Sequence, residues 1–366
     1  MQLIGGGHYL KESPSYKKKS TMNNETKPEK IRLEASSLCQ LRCVSCPMPY
    51  KENHRLIGYG YLKIDDFKKL VDENPWIREI ELSNYGEIFL NPDLLDIIKY
   101  AYIKKVTLTA YNGVNLNTAN EEILEALVKY SFRGINCSID GASNETYKRY
   151  RVRGDFDRVI ENIKRINYYK EKYNSRFPLL SWQFVIFGHN EHEIPEAIKM
   201  AKDLDMRFLP ELTWDESFSP IRDKEFVKEQ TGLDVTSRAE YYQEHETDYT
   251  QGICYQLWNS PQINWDGKLL GCCRNYWGSF GNAFESGLLN ALNNENMKYA
   301  REMLLGKKPA REDIPCATCR MYEGMKAAHR WLTPQELQNL RTPHVAGIRK
   351  SWNRIRYFIH DNILRR

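Results

Sequence analysis

Between residues 30 and 212 the apolar positions switch period repeatedly. Short runs alternating apolar with polar, or wholly apolar, read as strands at 30–35, 77–83, 105–111, 133–139, 180–187 and 206–212. Between them apolar residues recur every three or four positions, as at 64–71, 93–98 and 156–163, which predicts amphipathic helices. Six strand–helix units in series predict an α/β fold with a parallel sheet and helices on its outer face. Six units are too few to close an eight-fold barrel. The expectation is an open, partial (β/α)6 TIM-like barrel, with its site on the loops beyond the strands' C-terminal ends.

The flanking segments break this alternation. Residues 1–29 are polar and lysine-rich with Pro14 and Pro28, the composition of a disordered segment. The barrel is expected over 30–215. Residues 216–253 are strongly charged and read as a linker with room for one helix. Residues 254–325 hold five of the nine cysteines and read as a small C-terminal cysteine-rich domain, followed by a helical extension over 326–366. Within that extension, 344–366 is a basic amphipathic helix. It could dock a partner, lie on an anionic membrane surface, or pack on the barrel with its basic face in water.

Composition narrows the class. A chain of 366 residues with 41% hydrophobic content can bury a sizeable core. The net charge of +5 gathers at the two ends and does not call for a nucleic-acid partner. No apolar run reaches the roughly 20 residues that span a bilayer, and no signal peptide is legible. Nine cysteines in such a chain read as metal ligands in the reducing cytoplasm rather than as disulfides.

Three of those cysteines carry the chemistry. Cys39, Cys43 and Cys46 stand in a C-x3-C-x2-C loop directly after the first strand. Three thiolates so close can hold three irons of a cubane and leave the fourth iron open, as a reactive metal centre requires. Zinc sites more often show paired C-x2-C knuckles. The triplet resembles the signature of the radical S-adenosylmethionine (radical SAM) superfamily. Ser45 stands where that family usually has an aromatic residue before the third cysteine. The resemblance implies a [4Fe–4S] cluster that binds SAM through its open iron, reductive cleavage to a 5′-deoxyadenosyl radical, and hydrogen abstraction from a substrate.

Further segments match that family in order. Asn84-Tyr85-Gly86-Glu87 resembles its Gly-Gly-Glu motif, so Gly86 and Glu87 would meet the SAM amino group. Ser138-Ile139-Asp140-Gly141, with Arg151 beyond it, resembles the segment that holds the SAM carboxylate; an Arg suits a planar two-oxygen anion. Asn190 fits a polar position that meets the ribose or adenine. Cys137, beside Ser138 on a strand, reads as a core thiol.

Cys254, Cys272, Cys316 and Cys319 form a second set. Asp266-Gly267 between alternating runs is a hairpin signal, and Gly267-x4-Cys272 puts a thiol at the end of the returning strand. Four thiolates could ligate a second cubane completely, or a structural zinc. The pattern resembles the twitch or SPASM extension of radical SAM enzymes, in the short form with one auxiliary cluster, a layout shared with radical SAM dehydrogenases of aminocyclitols. Cys273, adjacent to Cys272, reads as a spare thiol or an alternative ligand, or as a hydrogen-atom donor of the kind some radical SAM epimerases need.

The expected cofactors are therefore SAM and two [4Fe–4S] clusters, one SAM-binding and one auxiliary. A one-electron reductant such as flavodoxin or ferredoxin is the expected partner. The substrate would be a sugar or aminocyclitol-like small molecule undergoing dehydrogenation or epimerisation, with a peptide or protein as the alternative. A non-catalytic iron–sulfur or zinc-binding protein is the reading of another class. Tyr111, Asn112, Gln183, His189, Glu211, Trp214 and Asp215, at strand ends, could line the pocket.

Overall fold

All six strand candidates form. In the computed structural model, which describes residues 25–50 and 53–339, they are β1 (Lys30–Leu33), β2 (Glu79–Glu81), β3 (Thr107–Val114), β4 (Gly134–Ser138), β5 (Leu179–Ile186) and β6 (Met206–Leu212). Each pairs in parallel with its sequence neighbour. The connecting helices are α1 (Ile64–Glu73), α2 (Leu94–Ile103), α3 (Glu121–Lys129), α4 (Asn144–Tyr150), α5 (Phe156–Lys172) and α6 (Ile194–Asp203). Several begin where a side chain satisfies a free backbone N–H: Asn120 caps α3, Ser143 caps α4 and Asp155 caps α5. The result is an α/β partial barrel with its helices outside.

Register decides which residues face the helices and which face the lumen. Paired residues in a parallel sheet point the same way, so Cys137, Trp182 and Phe208 form one row. Trp182 packs against Phe156 at the start of α5, so this row faces the helix layer. Cys137 in that row is fully buried. The opposite face is polar. It carries the row Arg32, Glu81 and Thr109, and the row Ser138, Gln183 and Leu209. A lumen lined by buried charge and hydroxyl groups differs from the branched apolar filling of a closed barrel.

The hairpin expected at Asp266-Gly267 forms as β7 (Gln262–Ile263) and β8 (Leu269–Gly271). Gly267 takes φ of 85°, a conformation open to glycine. The hairpin extends the barrel sheet: β7 pairs in parallel with β1, giving the order β6-β5-β4-β3-β2-β1-β7-β8. The cysteine-rich region therefore shares a sheet with the barrel. Arg32 on β1 donates to the side chain of Gln262 on β7 across that seam.

Two segments depart from the sequence expectation. Residues 25–29 are held in place rather than disordered, with Thr26 and Asn293 exchanging two hydrogen bonds and Lys27 lying over the Trp76 ring. The charged stretch 216–253 carries two helices, α7 (Lys224–Thr231) and α8 (Arg238–His245), capped by Asp223 and Ser237. Residues 1–24 and the basic stretch 344–366 lie outside the described residues. Among the described residues no helix is long and apolar enough to cross a membrane.

Candidate functional site

The first three cysteines lie beyond β1, at the barrel's C-terminal mouth. Cys46 N–H donates to Cys43 O at 3.1 Å, turning the chain so that the thiols converge. Each of the three thiols lies within electrostatic reach of the other two. Cys39 is exposed at its surface, but the packing around its thiol, with the charges of Glu87 and the other two thiols, pushes it up to about 12. An apolar loop alone would therefore leave it protonated; a bound cation supplies the charge that converts such thiols to thiolates.

Around this loop the structure gathers the residues singled out in the sequence. Gly86 lies against the backbone of 36–38, where a Cβ would overlap Ser36 O and sit 2.6 Å from Leu38 O. Glu87 is buried, with one oxygen accepting from Phe89 N–H and the other from Asn115 N–H at 2.6 Å. Burial outweighs those bonds and pushes its carboxyl up to about 7. Arg151 donates through Nε to Asp140 Oδ2 at 2.5 Å and through Nη1 to Cys43 Sγ at 3.5 Å. The other oxygen of Asp140 accepts from Val185 N–H at 2.7 Å. Asp140 thus aims Arg151 at the cysteine loop, and its own oxygens are occupied. The Ser138 hydroxyl makes no hydrogen bond among the described residues, next to a buried Gln183 Oε1 that also lacks a partner.

Asn190 does not face the lumen. Its Oδ1 accepts from Phe187 N–H, and its Nδ2 donates to the carbonyls of Asp140 and Val185. Fully buried, it braces the ends of β4 and β5 and has no group left for a ligand. The other strand-end candidates divide. Gln183 and Glu211 lie on lumen-facing positions. Tyr111 and Asn112 use their backbone N–H groups on Glu81. His189 stacks on Phe187 with neither ring nitrogen bonded, and burial pushes its pKa down to about 4. Asp215 accepts from Ser45 Oγ at 2.7 Å, and the Trp214 indole donates to Ser45 O at 3.2 Å. The β6 loop therefore clasps the third-cysteine turn from outside.

One important residue escaped the motif reading. Glu34, at the end of β1, accepts from Tyr85 N–H at 3.0 Å and Gly86 N–H at 3.1 Å, so it shapes the loop that carries Gly86 and Glu87. Burial pushes its carboxyl up to about 8. A signal was present: Ile31, Leu33 and Ala35 face the helices, which leaves Arg32 and Glu34 pointing inward.

The second cysteine set also assembles. Every pair among Cys254, Cys272, Cys316 and Cys319 is within electrostatic reach. Four sulfurs on one tetrahedral zinc would lie about 3.8 Å apart, given Zn–S near 2.3 Å. Among the described residues the trio with ligand atoms all within 4.8 Å of one another is Asp234, Glu244 and His245, so no three of these sulfurs are that close. The four thiols, set wider than the sulfurs of one tetrahedral zinc, are enough to ligate a cubane completely. Tyr85 adds a second sign. Its buried hydroxyl has no hydrogen-bond partner and faces Cys272 and Cys273, where a cluster's sulfur atoms would accept it. Cys273 is tied to Gln256, which accepts from its N–H at 2.8 Å and donates to its sulfur at 3.5 Å.

The two sets share a wall. Met48, Ile57 and Leu270 form an apolar group against which Cys46, Tyr85 and Tyr276 pack. Leu270 is two residues from Cys272, so a single patch of side chains connects the two cysteine loops.

Comparison with known proteins agrees with this geometry. Residues 33–201 match the model of the radical SAM superfamily, and residues 254–320 match that of an iron–sulfur cluster-binding domain, SPASM. The chain is 25% identical over 179 residues to the probable GTP 3′,8-cyclase of Methanocaldococcus jannaschii, covering 48% of this chain and 55% of that protein. It is 29% identical over 182 residues to the AdoMet-dependent heme synthase of Methanosarcina barkeri, covering 48% of each. The chain thus spans about half the length of the curated relatives it matches. Among solved structures, Streptococcus suis SuiB bound to its precursor peptide SuiA has a similar fold, with a TM-score of 0.55 at 14% identity over 81% of this chain and 71% of that one.

Proposed function

The chain belongs to the radical SAM superfamily and carries a C-terminal iron–sulfur cluster-binding domain, and from that premise we propose that it oxidises or epimerises a small polyhydroxylated substrate, a sugar or aminocyclitol. When bound, a SAM-loaded cluster supplies a carbon radical able to take a hydrogen atom, and an auxiliary cluster supplies a one-electron acceptor. In this reading Cys39, Cys43 and Cys46 hold the first cluster, and Cys254, Cys272, Cys316 and Cys319 hold the second.

The chain's own residues then have defined tasks. Arg151, fixed by Asp140, receives the SAM carboxylate, with Ser138 offering a hydroxyl from the neighbouring strand. The backbone of Gly86 and the Glu87 carboxylate bound the pocket for the SAM ammonium, and Glu34 keeps that loop in shape. Asp215 and Trp214 hold the third-cysteine turn. Cys273, held by Gln256, is the thiol placed to return a hydrogen atom if the product is an epimer.

The observation that supports this reading is the patch of packed side chains, Cys46, Tyr85 and Leu270 among them, that joins the two cysteine loops. A substrate held there lies between a radical source and an electron acceptor. A peptide substrate is the second reading, favoured by the shared fold with SuiB, whose structure holds the precursor peptide SuiA. A cytoplasmic setting with a flavodoxin or ferredoxin as reductant suits both.

The test is incubation of the anaerobically reconstituted protein with SAM, dithionite and panels of sugars, aminocyclitols and peptides. Formation of 5′-deoxyadenosine is expected, with deuterium transfer from a labelled sugar or aminocyclitol. A product two hydrogens lighter marks dehydrogenation; solvent deuterium in a product of unchanged composition marks epimerisation. Deuterium transfer confined to peptides would replace the first reading by the second. No SAM cleavage with both clusters intact would sink both.

A further inference from the structure

Beyond the cysteines and the SAM-facing residues, the lumen carries a charged wall with no assigned role. Val185 pairs in register with Glu211, so the two point the same way. Val185 packs with Cys43 and Phe187, which puts Glu211 at the barrel mouth beside the first cysteine loop. Tyr249 donates through its hydroxyl to Glu211 Oε2 at 3.3 Å. The Arg238 guanidinium, at the start of α8, lies 4.8 Å from the centre of the Tyr249 ring. It donates through Nε and Nη2 to Leu212 O, at 3.1 and 2.9 Å. Arg274, two residues beyond Cys272, reaches the next residue of the same segment, donating to Thr250 Oγ1 at 2.8 Å.

Two guanidinium groups thus flank Tyr249–Thr250, one from the barrel side and one from the second cysteine set. Neither forms an ion pair within 4.0 Å among the described residues. Nη1 of Arg238 and Nε and Nη2 of Arg274 make no hydrogen bond there. Two like charges brought together cost free energy unless an anion lies between them. Glu211 and Asp248 are the carboxyls within electrostatic reach of Arg238; Glu211 accepts from the Tyr249 hydroxyl, and Asp248 accepts from the Thr250 N–H and hydroxyl. Burial pushes the Glu211 carboxyl up and holds Arg238 below its ordinary range, because each charge is taken out of water.

We propose that Arg238 and Arg274 form the receptor for an oxyanion of the substrate, a carboxylate or a phosphate monoester, and hold the substrate between the two cysteine sets. This narrows the substrate class of the preceding section and rests on its reading of the lumen. A planar fork of N–H donors matches either oxyanion. Anchoring one end of the substrate on this wall leaves its remaining carbons towards the Cys39–Cys46 loop. Arg274 would then set the charged end beside the electron acceptor and the reacting end beside the radical source.

Binding to the SAM-loaded, anaerobically reconstituted protein tests this by isothermal titration calorimetry. The probes are inorganic phosphate and glucose 6-phosphate in one arm, acetate and glucuronate in a second, and glucose as the neutral control. At least one charged sugar is expected to bind about tenfold or more tightly than glucose, and the stronger arm identifies the anion. Arg238→Gln and Arg274→Gln are each expected to lose about that factor. Lys199→Gln, on the outer helix α6, is expected to bind like the parent, which excludes a general effect of net charge. Because Arg238 also ties down Leu212, far-ultraviolet circular dichroism and iron content are measured for each variant, and Arg274→Gln decides if Arg238→Gln misfolds.

Equal affinity for charged and neutral probes, or no binding of any charged probe, overturns the proposal. So does an Arg274→Gln variant that shifts the auxiliary reduction potential and leaves probe affinity unchanged. The radical reading is scored separately, by 5′-deoxyadenosine formed in the parent protein with SAM alone. It can therefore stand while the anion receptor falls.

Discussion

Asp140→Asn isolates the interaction that aims Arg151. The side chain keeps its shape and loses its charge, while the guanidinium stays charged at any working pH. In the parent, Asp140 is fully buried, Arg151 Nε lies 2.5 Å from Oδ2, and Val185 N–H occupies Oδ1. Burial pushes the Asp140 carboxyl up, while the Arg151 guanidinium and the Val185 N–H, one on each oxygen, favour its ionised form. Removing one partner of a buried pair costs about 3–5 kcal/mol, because the other charge is left uncompensated. The amide oxygen still accepts one hydrogen bond, worth roughly 1 kcal/mol. A net loss of about 3 kcal/mol follows, roughly a hundredfold in the folding equilibrium. Urea unfolding of the reconstituted protein under anaerobic conditions measures it. The double variant Asp140→Asn/Arg151→Met removes both charges, so it should lose about 2 kcal/mol less than the sum of the single losses. Equilibrium dialysis should show weaker SAM binding for Asp140→Asn, since Arg151 is no longer fixed. Additive single losses, within about 0.5 kcal/mol, would refute the reasoning.

Three other outcomes are expected. Burial raises the Glu34 carboxyl from 4.5 to about 8, so the folded state holds its proton more tightly than the unfolded chain. Stability should therefore fall as pH rises through that window. Glu34→Gln lacks this loss, so its stability relative to the parent should improve by on the order of 2–4 kcal/mol between about pH 5 and about pH 9, read by denaturant titration at each pH; a constant difference would count against a buried, proton-holding Glu34. Cys137→Ser should cost about 1–3 kcal/mol for a buried hydroxyl with full iron content, whereas Cys316→Ser should lose about half the iron by colorimetric assay. Gly86→Ala should destabilise by about 1–3 kcal/mol and weaken SAM binding, because the added methyl meets the carbonyls of Ser36 and Leu38 rather than a movable side chain; parent-like SAM affinity would show that this approach does not shape the site.

Much of the architecture was legible because strands and helices leave different periods in the order of residues. The strand at 206–212 appears at those bounds, and 180–187 is displaced by one residue. The hairpin at Asp266-Gly267 was equally plain, since its turn demands a residue at ease with positive φ. Cysteine spacing carried the metal chemistry, because a short loop limits how far apart its thiols can lie. Arg151 was legible as a group suited to a carboxylate, whereas its pairing with Asp140, also read there as a cofactor-side residue, emerged only from the fold.

What the order of residues left open depends on which side of a strand meets which neighbour. Asn190 has a side chain suited to a ligand, and only the closeness of Phe187, Val185 and Asp140 shows it spent on the backbone. Glu34 and Arg32 became meaningful once register turned them into the lumen, where burial makes Glu34 hold its proton. The pairing of β7 with β1 joins segments some 230 positions apart and makes the cysteine-rich region an extension of the barrel sheet. The same is true of Arg238 and Arg274, which are ordinary surface-type residues in the sequence and, with no ion pair within 4.0 Å among the described residues, come to face one segment in the fold. The sequence by itself determined the elements and the kinds of metal ligand, since both depend on spacing along the chain. Tertiary structure alone decided which polar groups are spent internally and which are left for a ligand, since that depends on partners brought together from distant positions.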